Sequence, residues 1–223
     1  MREEYLTRQL DILPMHNLSK RITVIGAGAI GSFTVLALAK MGFSNITVWD
    51  NDHIDQENMN CQFYRISDIG KLKVDALRDM VQDFTGTLIN IESRRLTSED
   101  RITDHIIISA VDSMAARKLI SEQFYGRHLL DARMGAEYIS TYYVDRRDIE
   151  GYANFQEHLY SDSEALPERC TAKSTMYTVS LIAGLLGKSV KDIVSGNAPI
   201  SSLDWSVAKN SAVWFTDGKK GTM

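Results

Sequence analysis

The nine residues "VIGAGAIGS" constrain this chain more than any other stretch. They set Gly26, Gly28 and Gly31 in a G-x-G-x-x-G spacing between a β-branched run and an apolar helical run. Glycine at those places permits a tight turn, close approach of backbone to a phosphate, and close packing of the following helix, whose N-terminus attracts negative charge. The preceding "RITV" reads as a strand and the following "AIGSFTVLALAKMG" as a helix, which is the setting such a turn requires. Asp50 closes the next β-rich run, "NITVWD", 24 positions after Gly26, where a carboxylate accepts hydrogen bonds from ribose hydroxyls. A nucleotide is therefore expected on this turn. NAD, FAD and ATP all use the geometry, so the turn alone leaves its identity open.

The same grammar continues downstream. "GKLKVDALRDMVQDF", "LINIESRRL", "HIIISAV" and "SMAARKLISEQF" alternate short apolar runs with amphipathic segments, the order of βαβ units in a parallel sheet wrapped by helices. After "HLLDARM" the period changes. "AEYISTYYVDRRD" alternates like an antiparallel strand, and the stretch from Ile149 to about Arg169 reads as irregular. "TAKSTMYTVSLIAGLLGKS" is expected to be a buried helix with Met176, Val179, Ala183 and Leu186 on one face, and "SLDWSVAKNSAVWFTD" a closing hairpin turning near Lys209 and Asn210. The fold class is α/β: a Rossmann-like mixed sheet, mostly parallel with antiparallel strands at the C-terminal side, flanked by helices. No repeat or proline-rich linker interrupts the 223 residues, so one domain over 1–223 with a short N-terminal helical arm is expected.

Charge narrows the partners. The 25 basic and 29 acidic residues are interspersed and give a net charge of −4, so no basic field exists to hold nucleic acid or an anionic membrane. The two cysteines, Cys61 and Cys170, are far apart and form no CxxC, which argues against a disulfide scaffold or a four-cysteine zinc site and for a reducing compartment. The charged start and the lack of any apolar run of about 18 residues point to a cytoplasmic protein without a membrane span.

The segment after Asp50, "NDHIDQENMNCQFYRISDIGKLKVDAL", has no explanation in a dinucleotide oxidoreductase. It resembles the ThiF/MoeB/HesA family, relatives of the ubiquitin-activating enzymes, whose pattern runs D-x-D, N-x-x-R-Q, then G-x-x-K and an amphipathic helix. "YLTRQLDI" is similar to the family's Tyr-x-x-Arg-Gln arm, "ISAVDSMAARKLI" to its Thr-Asp-Asn-x-x-x-Arg segment and "PERCTA" to its cysteine-containing crossover loop, so the ordered set covers about residues 5 to 190. The resemblance implies ATP-dependent adenylation of a carboxylate, either the C-terminus of a ubiquitin-like or sulfur-carrier protein or a small-molecule acid. Asp50 would hold the ribose, Asn58 and Gln62 would line the phosphate region, Lys73 would contact phosphate oxygens and Asp112 would hold magnesium. Arg8 would cross the two-fold interface of a homodimer to the neighbour's nucleotide, and Cys170 would form a covalent link to an activated carrier.

The residues add independent arguments. Val74, Leu77 and Val81 mark the apolar face of a helix whose first turn would carry Lys71 and Lys73, where the helix dipole disfavours cations and a bound polyphosphate would offset the repulsion. The alternative is two solvated lysines at a cost of about a few tenths of a kcal/mol. Asp112 is equally suited to cap the helix that follows it. Cys170, ahead of a long helix and beside Arg169, is placed to favour a thiolate. Arg133 and Gly135, in "DARMGAEY", follow a strand at the ligand-bearing edge, where Arg133 would receive a substrate carboxylate or serve in a structural ion pair. The chain departs from the family at Cys61, where an arginine is expected. Arg65 is the nearby substitute, and the departure keeps a catalytically weakened nucleotide-binding or scaffold protein as an alternative, beside a nicotinamide-dependent oxidoreductase.

Overall fold

Short apolar runs become the parallel centre of one sheet: β1 (Ile22–Ile25), β2 (Ile46–Trp49), β3 (Asn90–Glu92), β4 (Ile106–Ser109) and β5 (His128–Gly135). The computed structural model describes residues 2–159, 174–216 and 219–223. β6 (Tyr138–Asp145), β7 (Ser202–Ser206), β8 (Ser211–Thr216) and β9 (Lys219–Thr222) complete a nine-stranded sheet in the order β3-β2-β1-β4-β5-β6-β7-β8-β9. β3 through β5 pair in parallel, and every pairing from β5–β6 to β8–β9 is antiparallel. The expected mixed sheet is therefore present, with β9 as an added edge.

Residue alternation explains how both faces of the sheet are covered. Ile106 and Ile108 of β4 join one cluster while Ile107 between them joins the other, because successive side chains of a strand point to opposite faces. The larger cluster takes Val35 and Leu38 from α2 (Ala29–Lys40), and Val74, Leu77 and Val81 from α3 (Lys73–Thr85). The second takes Ile120 from α4 (Met114–Gln123) and Phe155 from α5 (Ile149–Glu157). Ile182, Leu186 and Val190 of α6 (Met176–Val194) return to the larger cluster.

Several expectations change in detail. The stretch expected to be irregular from Ile149 opens with α5, capped by Asp148, whose carboxylate accepts the Gly151 N–H at 2.9 Å. Phe155 then anchors that helix in the second cluster. In α6 the buried stripe holds Val179, Ala183 and Leu186, but Met176 is 49% exposed because it sits in the first residue of the helix, beyond the edge of the core. The N-terminal arm is helical in pieces: the short helix α1 (Arg2–Leu6) gives way to 3-10 segments at Thr7–Gln9 and Met15–Ser19, and Leu6 and Leu13 are buried in the larger cluster. The hairpin turn falls where expected, with Asn210 at φ 48°. Residues 160–173, including Cys170 and Arg169, lie outside the described residues.

Ile108 is fully buried in the larger cluster. Ile108→Ala should lower unfolding free energy by about 2–5 kcal/mol, read from the urea midpoint with an unchanged slope.

Candidate functional site

The site grows from the sheet register. Ile25 lies opposite Trp49 on one side and Ser109 on the other, so β1, β2 and β4 finish side by side. Two more ladder bonds, Gly26 N–H to Trp49 O and Ala110 N–H to Ile25 O, both 2.8 Å, carry the alignment one residue further. The strand order runs outward from β1 in both directions, so this edge is the crevice in which open α/β sheets take ligands.

Each glycine of the turn has a different reason for being there. Gly26 has φ 97° and a Cβ on it would come within 2.5 Å of the Ala110 carbonyl oxygen. A Cβ on Gly31 would overlap the Gly26 carbonyl oxygen, so that glycine lets α2 pack on the turn. Among the described residues a Cβ on Gly28 would meet nothing within 4 Å, and its φ is −76°. No contact among the described residues demands glycine at position 28, and space beside its backbone suits a phosphate.

A continuous set of polar contacts connects this turn to Lys73. Asp50 Oδ2 accepts the Ala27 N–H at 2.7 Å and Oδ1 accepts the Asp52 N–H at 2.8 Å. Asp52 Oδ2 in turn pairs with Lys73 Nζ at 3.2 Å. Lys73 is the first residue of α3 and is buried, whereas the Asp52 side chain is 56% exposed. Both Asp50 oxygens keep a lone-pair site for a ribose hydroxyl. Tyr64 donates its hydroxyl to the Ala27 carbonyl at 2.5 Å, so Ala27 is held at both its N–H and its C=O. Burial first, then Asp50 and Asp68, push the Tyr64 pKa well above the ordinary phenol value, which keeps the hydroxyl a donor.

Asp112 follows Ala110 by two residues, on the turn whose Ala110 carbonyl and Val111 nitrogen lie against Gly26. It is exposed, and its carboxylate makes no hydrogen bond or ion pair among the described residues. Ser113, not Asp112, caps α4, its Oγ accepting the Ala116 N–H at 3.2 Å. That outcome removes the capping explanation for Asp112. A free carboxylate beside an open phosphate site fits Mg2+, which takes one or two carboxylates together with phosphate oxygens. Among the described residues no group of three or more His, Cys, Asp or Glu could hold a metal, so the nucleotide would have to bring most of the ligands.

Other expected residues are partly committed. Asn58 turns its Oδ1 back to the Asp55 N–H at 2.9 Å, leaving its NH2 as the free end. Gln62 Oε1 is buried with no hydrogen-bond partner among the described residues, which leaves it an acceptor for a ligand donor. Lys71 is 2.7 Å from the buried Asp68, which gives it a structural partner away from the turn. Cys61 is a buried free thiol. Arg65 pairs with Asp83 at 2.6 Å, at the far end of α3 from Lys73, and so does not stand in for the arginine that Cys61 replaces. Arg8 is exposed on the arm, without a hydrogen bond or ion pair among the described residues.

Arg133 resolves toward the ion pair. Its Nε donates to Asp131 Oδ2 at 2.7 Å and its Nη1 to the His158 carbonyl at 3.0 Å, while Nη2 is buried without a partner among the described residues. Asp131 also takes Arg117 Nη1 at 2.5 Å, and is 1% exposed in its side chain. Sequence reasoning missed this hub, along with Asp52 and Tyr64. Arg117 lies inside the quoted family segment and Asp52 inside the D-x-D pattern, but only contact geometry shows what either one does.

The family model described as "ThiF family" matches residues 15–219, and the chain belongs to that family. It is 35% identical over 108 residues to the NEDD8-activating enzyme E1 catalytic subunit of Dictyostelium discoideum, covering 45% of this chain and 24% of that one. It is 30% identical over 107 residues to the adenylyltransferase and sulfurtransferase MOCS3 of Culex quinquefasciatus, again 45% of this chain and 24% of the relative. The chain thus spans about a quarter of the length of these curated relatives. In fold it is similar to E. coli MccB crystallised with ATP, with a TM-score of 0.66 at 16% identity over 93% of this chain and 65% of that one. No helix among the described residues is long and apolar enough to cross a membrane.

Burial alone would raise the Asp131 pKa, but Arg117 and Arg133 outweigh it and hold the carboxyl below its ordinary 3.8. A carboxyl with a depressed folded-state pKa contributes stability above the unfolded value and loses it as pH falls through the folded one. Asp131→Asn should therefore cost about 3 kcal/mol or more near neutrality, since it strands a buried arginine. In urea unfolding across a pH series, the gap to wild type should narrow once pH drops below about 4.

Proposed function

We propose that this chain is an ATP-dependent adenylyltransferase that activates a carboxylate as its acyl-adenylate. The observation that carries the reading is the unbroken contact path Ala27–Asp50–Asp52–Lys73 at the glycine turn, together with an Asp112 carboxylate, unpaired among the described residues, two positions beyond the Ala110 carbonyl that faces Gly26. A triphosphate laid over Gly28 would have the Lys73 ammonium on one side and the Asp112 carboxylate on the other, with its ribose against Asp50. Mg2+ held by Asp112 would supply charge neutralisation on the phosphate oxygens.

The chemistry needs positioning and charge neutralisation rather than an acid or base of unusual pKa. A carboxylate oxygen of the substrate attacks the α-phosphorus; a new P–O bond forms as the bond to the bridging oxygen breaks, and pyrophosphate leaves with that electron pair. Lys73 exchanges its half-exposed partner Asp52 for the phosphate oxygens. Asn58 presents its free NH2, and Gln62 its unpaired amide oxygen, to the nucleotide. The acid is either the tail of a ubiquitin-like carrier or a small molecule. In this reading residues 1–223 act as a single adenylating domain of a cytoplasmic homodimer. Arg8 reaches the neighbour's nucleotide, and, if the substrate is a carrier, the Cys170 thiolate attacks the adenylate carbonyl, forming a thioester as the anhydride C–O bond breaks and AMP leaves.

A second reading has one observation in its favour: Cys61 replaces the family arginine and Arg65 is engaged elsewhere. A chain that binds ATP yet exchanges no pyrophosphate with any acid would be a nucleotide-binding scaffold.

The test is ATP–pyrophosphate exchange over a panel of carboxylates and carrier tails. Exchange that requires an added acid is expected. Lys73→Ala and Asp112→Ala should each cut it about a hundredfold or more, in keeping with the loss of one transition-state partner. Unchanged rates in both variants would sink the site assignment.

A further inference from the structure

Arg117 is buried, yet its contacts reach the exposed rim of the site. Nη1 donates to Asp131 Oδ1 at 2.5 Å and to the Ala132 carbonyl at 3.0 Å, and Nη2 donates to the carbonyl of Val111. The guanidinium is therefore held by the sheet, through Asp131 and Ala132 of β5, while its free arm grips the turn between β4 and α4. The Val111 carbonyl belongs to the peptide unit that also contains the Asp112 nitrogen and Cα. Because a peptide unit is planar, fixing that oxygen fixes the plane from which Asp112 departs.

This matters because nothing else described orients Asp112: its side chain is exposed and without a partner among the described residues, and the helix cap beside it is Ser113. An acidic metal ligand in that position depends on its backbone being set in advance. We propose that Arg117 is a positioning residue of the candidate adenylation site, clamping the Val111 carbonyl so that Asp112 is aimed at the metal-bearing phosphates. A lysine cannot reproduce this, since three acceptors in different directions call for the planar fork of arginine rather than a single ammonium. Asp131 is the anchor that keeps the fork in register from below, and Arg133 shares that anchor from the other side.

The inference rests on the adenylation reading, and its experiment separates the two. Arg117→Lys keeps the charge against Asp131 and loses the fork; Arg117→Gln combined with Asp131→Asn, which removes both buried charges of the pair together, is the companion variant if the first folds poorly. Amide hydrogen exchange on the ligand-free protein is the first measurement. Residues 110–113 should exchange faster in the variant, while the glycine turn at 25–32 keeps its protection. Equal protection at 110–113 overturns the proposal whatever the enzyme does. The second measurement is the Mg2+ dependence of ATP binding and of pyrophosphate exchange. The apparent Mg2+ constant should rise about ten- to a hundredfold, the usual effect of removing a group that orients a metal ligand, with metal-free ATP binding unchanged. An unaltered Mg2+ constant in an active protein also overturns it. If the wild-type chain exchanges no pyrophosphate with any acid, the adenylation reading falls, and amide exchange with Mg2+-dependent nucleotide binding decides the clamp alone.

Discussion

Parallel pairing of β1 between β2 and β4 is the constraint on which the rest of this structure depends. Strands sit about 4.8 Å apart, so three chains that finish in register deliver their next residues to one small area. Here those residues are the glycine turn, Asp50 and the turn leading to Asp112. The strands themselves are apolar and buried, so polar chemistry becomes possible only where the ladder ends. Any slip in register would separate these groups, and the buried alternation of Ile106, Ile107 and Ile108 resists such a slip, because moving by one residue would send each to the wrong face.

Around that edge the ion pairs fall into two kinds. Lys73–Asp52 joins a buried ammonium to a carboxylate that is 56% exposed, so Asp52 can turn to water where an anionic ligand takes its place. Arg117–Asp131 is sealed from solvent and breaking it would leave a buried charge, at a large penalty. The first pair suits a contact made afresh with each ligand. The second suits a fixture. The site thus has an exchangeable surface resting on a support that does not exchange, and the turn residue Ala27, held by Asp50 and Tyr64, belongs to the support.

Much of this was legible in order along the chain. The glycine spacing, the Asp50 carboxylate, the lysine at the head of an amphipathic helix and the acid after an isoleucine run are local patterns; the fold joins the first three in one run of contacts and leaves Asp112 exposed on the turn after β4. Less local readings fared worse. The stretch from Ile149 looked irregular because its helix is short and holds to the core mainly through Phe155. Met176 matched the periodicity of α6 but lies outside the stripe that touches the core, since a period locates a face and not where the neighbouring element ends. Arg65 was near Cys61 in sequence, but Asp83 claims it.

By itself the sequence determined the class of fold, the glycine turn between β1 and the first long helix, and the identity of the charged groups that follow it, because these come from periods of two and about 3.6 residues and from the special backbone freedom of glycine. Only the tertiary structure decided which charge faces which. The triad of Arg117, Asp131 and Arg133, and the grip of Arg117 on Val111, join a helix, a strand and a turn. Partners chosen across such distances depend on how elements pack, and no spacing along the chain encodes that choice.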